Sequence, residues 1–208
     1  MQRRTHSNDE GWLLSYADLI TNLLIFFVML LTAAEISKSK MQQISERLSG
    51  QESPMSLSAM QEEIEKKIKE QGLENLVGTE LTDDGLELSL NSGLVFDSGE
   101  AKIRTDLGAV LESMLQTLVP YAGKYDFAVE GHTDNRPIAP GGTYRSNWEL
   151  STDRANAVRS RLETVGIDRD RIRVEGYADT KVLGEDKLKG LSEDERLARH
   201  RRVVVRVY

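Results

Sequence analysis

Hydrophobic residues along this chain follow three different rhythms. The first is unbroken. Trp12 to Ala34 reads WLLSYADLITNLLIFFVMLLTAA, greasy on nearly every side, with one charge at Asp18. At about 1.5 Å rise per residue, a helix of that length crosses a hydrocarbon layer of about 30 Å. Trp12 and Tyr16 lie near one end, where amphipathic rings favour the interface. The second rhythm is helical. Ile36, Met41, Ile44 and Leu48 recur at helical spacing before a break at residues 49–54, Ser-Gly-Gln-Glu-Ser-Pro. Ser58 to Gln71 then repeats the spacing with Met60, Ile64 and Ile68, while Glu62, Glu63, Lys66 and Lys67 occupy the other side. Ser58 with Gln61 predicts a capping box at its start.

From Val77 the rhythm becomes mixed. Leu86, Leu88 and Leu90 alternate with Glu87 and Ser89, and Asp83-Asp84-Gly85 before them signals a hairpin. Thr105 to Val119 and Asn147 to Val165 carry helical stripes. Tyr125 to Gly131, Arg171 to Ala178 and Arg202 to Tyr208 read as strands. Strands alternating with helices predict an α/β sandwich, a mixed sheet with helices on one face. The chain therefore divides into a short N-terminus (1–11), a single transmembrane helix (12–34), a linker (35–76) and a C-terminal domain (77–208).

Charge changes the picture in one place. The net charge of −7 gives no basis for nucleic-acid binding, and the absence of cysteine excludes disulfides and thiolate metal sites. The telling charge is Asp18. A carboxylate inside an apolar span costs several kcal/mol by usual scales and marks a functional site. Ser15, Thr21 and Asn22 lie at i−3, i+3 and i+4 from it, so the helix carries one narrow polar stripe. Arg3 and Arg4 precede the run as in a signal peptide, but the run is long for one and a carboxylate within it is foreign to one. The basic residues lean towards a cytoplasmic N-terminus. No nucleophile–base pair or phosphate loop is present, and His132 has no second His or Cys at ligand spacing, so neither an enzyme nor a metal site is read.

Trp12, Ser15-Tyr16-Ala17-Asp18-Leu19-Ile20-Thr21 and Phe26-Phe27-Val28 resemble the membrane segment of MotB-type stator subunits, the B subunits of ion-driven rotary motors. The resemblance implies that Asp18 is the ion-binding residue. It also implies a MotA-type partner with several membrane helices, a dimer of this chain, and residence in the inner membrane with the C-terminal domain in the periplasm. Asn22 stands where the family has an apolar residue. Thr21 and Asn22 supply oxygens suited to Na⁺ or tune Asp18 for H⁺, and the two ions stay open; no other cofactor is implied. The stretch 36–48 is where the family's plug helix would lie.

A second resemblance covers residues 80–208. Leu94-Val95-Phe96-Asp97-Ser98-Gly99-Glu100-Ala101, Val129-Glu130-Gly131-His132-Thr133-Asp134-Asn135, and Tyr144 with Ser146-Asn147-Trp148-Glu149-Leu150-Ser151, Arg154-Ala155 and Val158 are similar to OmpA-like peptidoglycan-binding domains. Diaminopimelate in peptidoglycan ends in an ammonium and a carboxylate, and an anion with a planar guanidinium fork matches that pair. The resemblance assigns those roles to Asp134 and Arg154, with Asn147 shaping the pocket. Arg199-His200-Arg201-Arg202-Val203 departs from the family ending, where an asparagine precedes paired arginines. An insertion, Gly184 to Ala198, reads as a solvated loop and helix. Flagellar rotation is the commonest use of such motors. The Zorya anti-phage system uses a B subunit of similar design, and a passive membrane-to-wall tether is the remaining class.

Overall fold

The structure is a computed structural model that describes residues 11–34 and 55–208. The stretch assigned to a plug, 36–48, lies outside the described residues. The described part forms two units, an apolar helix and a C-terminal domain. The helix, α1, runs Gly11–Ala34, as the continuous apolar run predicts. It is long and apolar enough to cross a membrane.

The domain begins earlier than the change of rhythm at Val77. Helix α2 (Leu57–Gln71) was expected in the linker but belongs to the domain core, with Met60 and Ile64 fully buried. Its apolar stripe needs a partner, and the first hairpin supplies one. The cap is also displaced from expectation. Ser56, not Ser58, accepts the Ala59 amide at 3.0 Å, and Gln61 instead donates to Glu65. Leu57 joins Met60, Ile64 and Ile68 in the buried stripe, so the helix starts where the stripe starts. Gly72, left-handed at φ 65°, ends it.

Strands β1 (Val77–Thr82) and β2 (Gly85–Asn91) form the hairpin signalled by Asp83-Asp84-Gly85. A one-turn helix α3 (Ser92–Val95) and helix α4 (Thr105–Leu115) follow. The α4 helix tightens to 3₁₀ over Gln116–Tyr121, where Pro120 has no amide to give. Then come β3 (Phe127–His132), α5 (Asn147–Thr164), β4 (Ile172–Ala178), two short helices α6 (Glu185–Leu188) and α7 (Glu193–His200), and β5 (Arg202–Val207). The sheet order is β1-β2-β5-β3-β4, with only β3 and β4 parallel. That parallel pair is joined through α5, the crossover a parallel connection requires.

Leu86, Leu88, Leu90, Phe127, Val129, Val203, Val205 and Val207 are fully buried on the face covered by α2, α4 and α5. The opposite face carries charges, among them Glu87, Glu130, Arg202 and Arg206. The insertion leans over that face, with Lys187 paired to Glu80 of β1. It is anchored rather than loose: Leu188 and Leu197 are buried, and Ser192 with Glu195 makes a capping box.

Two glycines set where α5 sits. A Cβ at Gly131 would lie 1.9 Å from the Ser151 carbonyl oxygen, and one at Gly176 would lie 2.1 Å from Thr152 Oγ1. Replacing Gly131 by Ala therefore forces the helix off the sheet. Denaturant unfolding of the domain in the detergent-solubilised chain is expected to show a loss of at least about 2 kcal/mol for Gly131→Ala. Gly123→Ala, where a Cβ meets nothing within 4 Å, is the near-neutral control.

Candidate functional site

Two sets of chemistry-bearing residues emerge, one in each unit. On α1, the Ser15 hydroxyl donates to Gly11 O at 3.4 Å, and Thr21 Oγ1 lies 2.9 Å from Ala17 O and 3.0 Å from Asp18 O. These hydroxyl protons are turned back onto the helix, so the Thr21 oxygen keeps its lone pairs outward. Asp18, Thr21 and Asn22 lie on one side of the helix by their spacing. Such a stripe needs protein or water against it rather than lipid.

The second set lines a cleft of about 720 Å³ at the end of β3, bounded by the 93–100 turn, the 133–144 loop and the start of α5. Asp134, Asn147 and Arg154 all line it. Asp134 lies two residues past the end of β3. Asn147 opens α5, whose Ser146 cap accepts the Glu149 amide. Arg154 lies two turns further along the same helix, on the side of Leu150. Seating of α5 on Gly131 and Gly176 brings these residues beside the strand end.

Asn147 acts as a loop clamp. Its Nδ2 donates to the Asp134 carbonyl at 3.3 Å and to the Arg136 carbonyl at 3.0 Å. The carboxylate of Asp134 is nearly buried. Its Oδ1 accepts the Arg136 amide at 3.3 Å, and its Oδ2 accepts Arg201 Nη1 at 2.7 Å. Arg201 is the site residue that sequence reading passed over; the departure at 199–203 was the available signal. The reason is geometric: pairing of β5 against β3 carries it across 67 positions.

Arg154 is only 4% exposed. Its Nε donates to Glu100 O at 2.8 Å, its Nη2 to Asp97 O at 3.4 Å, and its guanidinium lies over the Phe96 ring at 5.2 Å. Among the described residues no carboxylate is in ion-pair contact with it. Burial, reinforced by the charge of Arg201, pushes its pKa down to about 10, so it remains a cation at neutral pH. A buried guanidinium held by two neutral carbonyls and an aromatic face keeps an uncompensated positive charge inside the cleft. Leu150 and Ala155 are buried as packing residues. His132 is buried on the opposite face of the sheet, stacked against Tyr177.

A five-stranded mixed sheet with a polar cleft at the β3 end, in a chain that also carries an apolar helix, defines a membrane-tethered OmpA-like protein. Comparison with known proteins gives the particular kind. Residues 95–196 match the OmpA family, and residues 2–51 match the family described as membrane MotB of the proton-channel complex MotA/MotB. Motility protein B of Bacillus subtilis is 28% identical over 234 residues, covering 91% of this chain and 89% of that protein. The cell wall anchor of the T6SS from Pseudomonas aeruginosa is 29% identical with a TM-score of 0.59, covering 70% of this chain and 96% of that one. A MotB-like protein from Desulfovibrio vulgaris shares the fold, with a TM-score of 0.64 at 20% identity over 73% of this chain and 92% of that one. This chain belongs to the MotB-type stator subunits, with an OmpA-like C-terminal domain.

Removing the Arg201 side chain leaves the Asp134 carboxylate short of its strongest donor. Arg201→Met is expected to destabilise the domain by about 1–3 kcal/mol, read as a lower unfolding midpoint at unchanged denaturant slope.

Proposed function

We propose that this chain is the B subunit of a flagellar stator: Asp18 binds the driving ion in the inner membrane while the Asp134–Arg154 cleft holds the cell wall. The observation that carries this is the presence, in one chain, of a carboxylate in an apolar span and a cleft whose buried guanidinium has no carboxylate in ion-pair contact among the described residues. A passive tether has no use for the first feature.

The working cycle follows from charge. A multi-span A subunit surrounds a pair of α1 helices, with the N-terminus in the cytoplasm and the domain in the periplasm. The ion, H⁺ or Na⁺, neutralises Asp18 and changes how α1 packs against its neighbours. One charge crossing the membrane potential releases about 2.3 kcal/mol per 100 mV. That energy becomes torque only if the stator is held still.

Holding falls to the cleft. A diaminopimelate carboxylate reaches Arg154, whose planar fork donates N–H bonds to its two oxygens, and the ammonium approaches Asp134, sharing it with Arg201. Asn147 keeps the loop in place. The similarity to Motility protein B and to a cell wall anchor supports this division of labour.

The two functions are separable. Arg154→Lys, which keeps the charge but loses the fork, is expected to weaken binding of the full chain to isolated sacculi at least about tenfold. Asp18→Asn is expected to leave sacculus binding unchanged. Equal binding by wild type and Arg154→Lys contradicts the assignment of the cleft.

A further inference from the structure

His132 ends β3, two positions before Asp134, and is 1% exposed. Its Nδ1 makes no hydrogen bond among the described residues. The groups around it come from every neighbouring element. Glu130, on the same strand, brings Oε2 to 3.4 Å from Nε2. Arg202 of β5 is its direct register partner. Tyr177 of β4 stacks on the ring at a centroid distance of 5.4 Å, and Lys181 lies over that tyrosine and 3.6 Å from Glu130. Glu87 of β2, Arg199 of α7 and Arg206 of β5 line the same charged hollow, and Arg206 pairs with Glu130 at 2.6 Å.

The backbone here is held under tension. A register shift at Gly131/His132 sets His132 opposite Ala178 rather than Tyr177, which frees Tyr177 to cover the ring. Ala178 adopts φ 49°, a left-handed conformation that costs a non-glycine residue about 1 kcal/mol or more. It persists because Ala178 N donates to Ser151 Oγ and Ala178 O accepts the Thr133 amide at 2.8 Å. The ring, the bulge and the start of the Asp134 loop thus form one packed unit.

Resting on the wall-binding role proposed for the cleft, we propose that His132 is an acid switch on anchoring: protonation of its ring loosens the end of β3 and with it the seat of Asp134. Burial pushes the imidazole below its ordinary value; Glu130 pulls the other way, while Arg202 and Lys181 add to the push. The unfolded chain therefore takes up the proton first, at about pH 6.5. The stability given by the neutral ring is complete above that pH and is lost as the pH falls towards the lower folded value. The periplasm is the side on which such a change in pH would be felt.

The test is sacculus binding by the full chain in detergent micelles at about pH 7.5 and about pH 5, where histidine titrates. Wild type is expected to weaken at least about fivefold on acidification, and His132→Gln to bind equally at both values. His6→Gln, which removes a histidine of the N-terminal segment, is expected to keep the loss. A wild type that binds equally at both values, or a His132→Gln chain that weakens as wild type does, overturns the switch. If His132→Gln does not fold, hydrogen exchange of the Thr133 and Asp134 amides in wild type decides. Their protection must fall on acidification relative to β2, and unchanged protection overturns the switch. Failure of wild type to bind at about pH 7.5 overturns the wall-binding role instead, and the exchange measurement still decides the switch on its own.

Discussion

The domain depends on how closely α5 can approach the sheet. Two glycines, Gly131 and Gly176, let Ser151 and Thr152 come to distances no side chain would permit. The helix side of the cleft follows from that contact. Asn147 reaches the carbonyls of the Asp134 loop because its helix lies so near the strand end, and Arg154 is buried for the same reason. The cost of burying a guanidinium beside a second arginine is met only partly, by carbonyls and the Phe96 face. That incomplete compensation leaves the cleft with a buried, only partly balanced positive charge.

The opposite face of the sheet solves a different problem. Glu130 is nearly buried and is surrounded by Arg206, Lys181 and His132. The insertion between β4 and β5 shields this charged hollow, through Lys187 on Glu80 and buried Leu188 and Leu197. The same segment leads into Arg201, which reaches through to Asp134. One short stretch of chain therefore connects the charged hollow to the cleft.

Much of this was legible in the residues themselves. An unbroken apolar run predicts a helix long and apolar enough to cross a membrane, because length and hydropathy are read directly from the residues. Asp83-Asp84-Gly85 names a hairpin, because Gly85 at φ 132° lies against the Val207 carbonyl where no Cβ fits. Asp134, Asn147 and Arg154 were found through motif likeness, and the structure brings them to one cleft. What escaped depends on partners distant in the chain. A stripe of Met60, Ile64 and Ile68 declares an apolar face but not what it faces, so α2 read as linker. Arg201 needed the β5–β3 register. The carbonyls of Asp97 and Glu100 that hold Arg154 carry no side-chain signature at all.

The central claim is that Asp18 carries the driving ion of a flagellar motor, and its most direct measurement is swimming speed after chromosomal replacement of Asp18 by Asn in the native host. The change is nearly isosteric, so the protein should accumulate and bind sacculi as before. The account predicts that swimming stops at normal protein levels. Undiminished swimming would contradict the flagellar reading and direct the next test to phage plating on the same strain, where a defence motor of similar design would reveal itself.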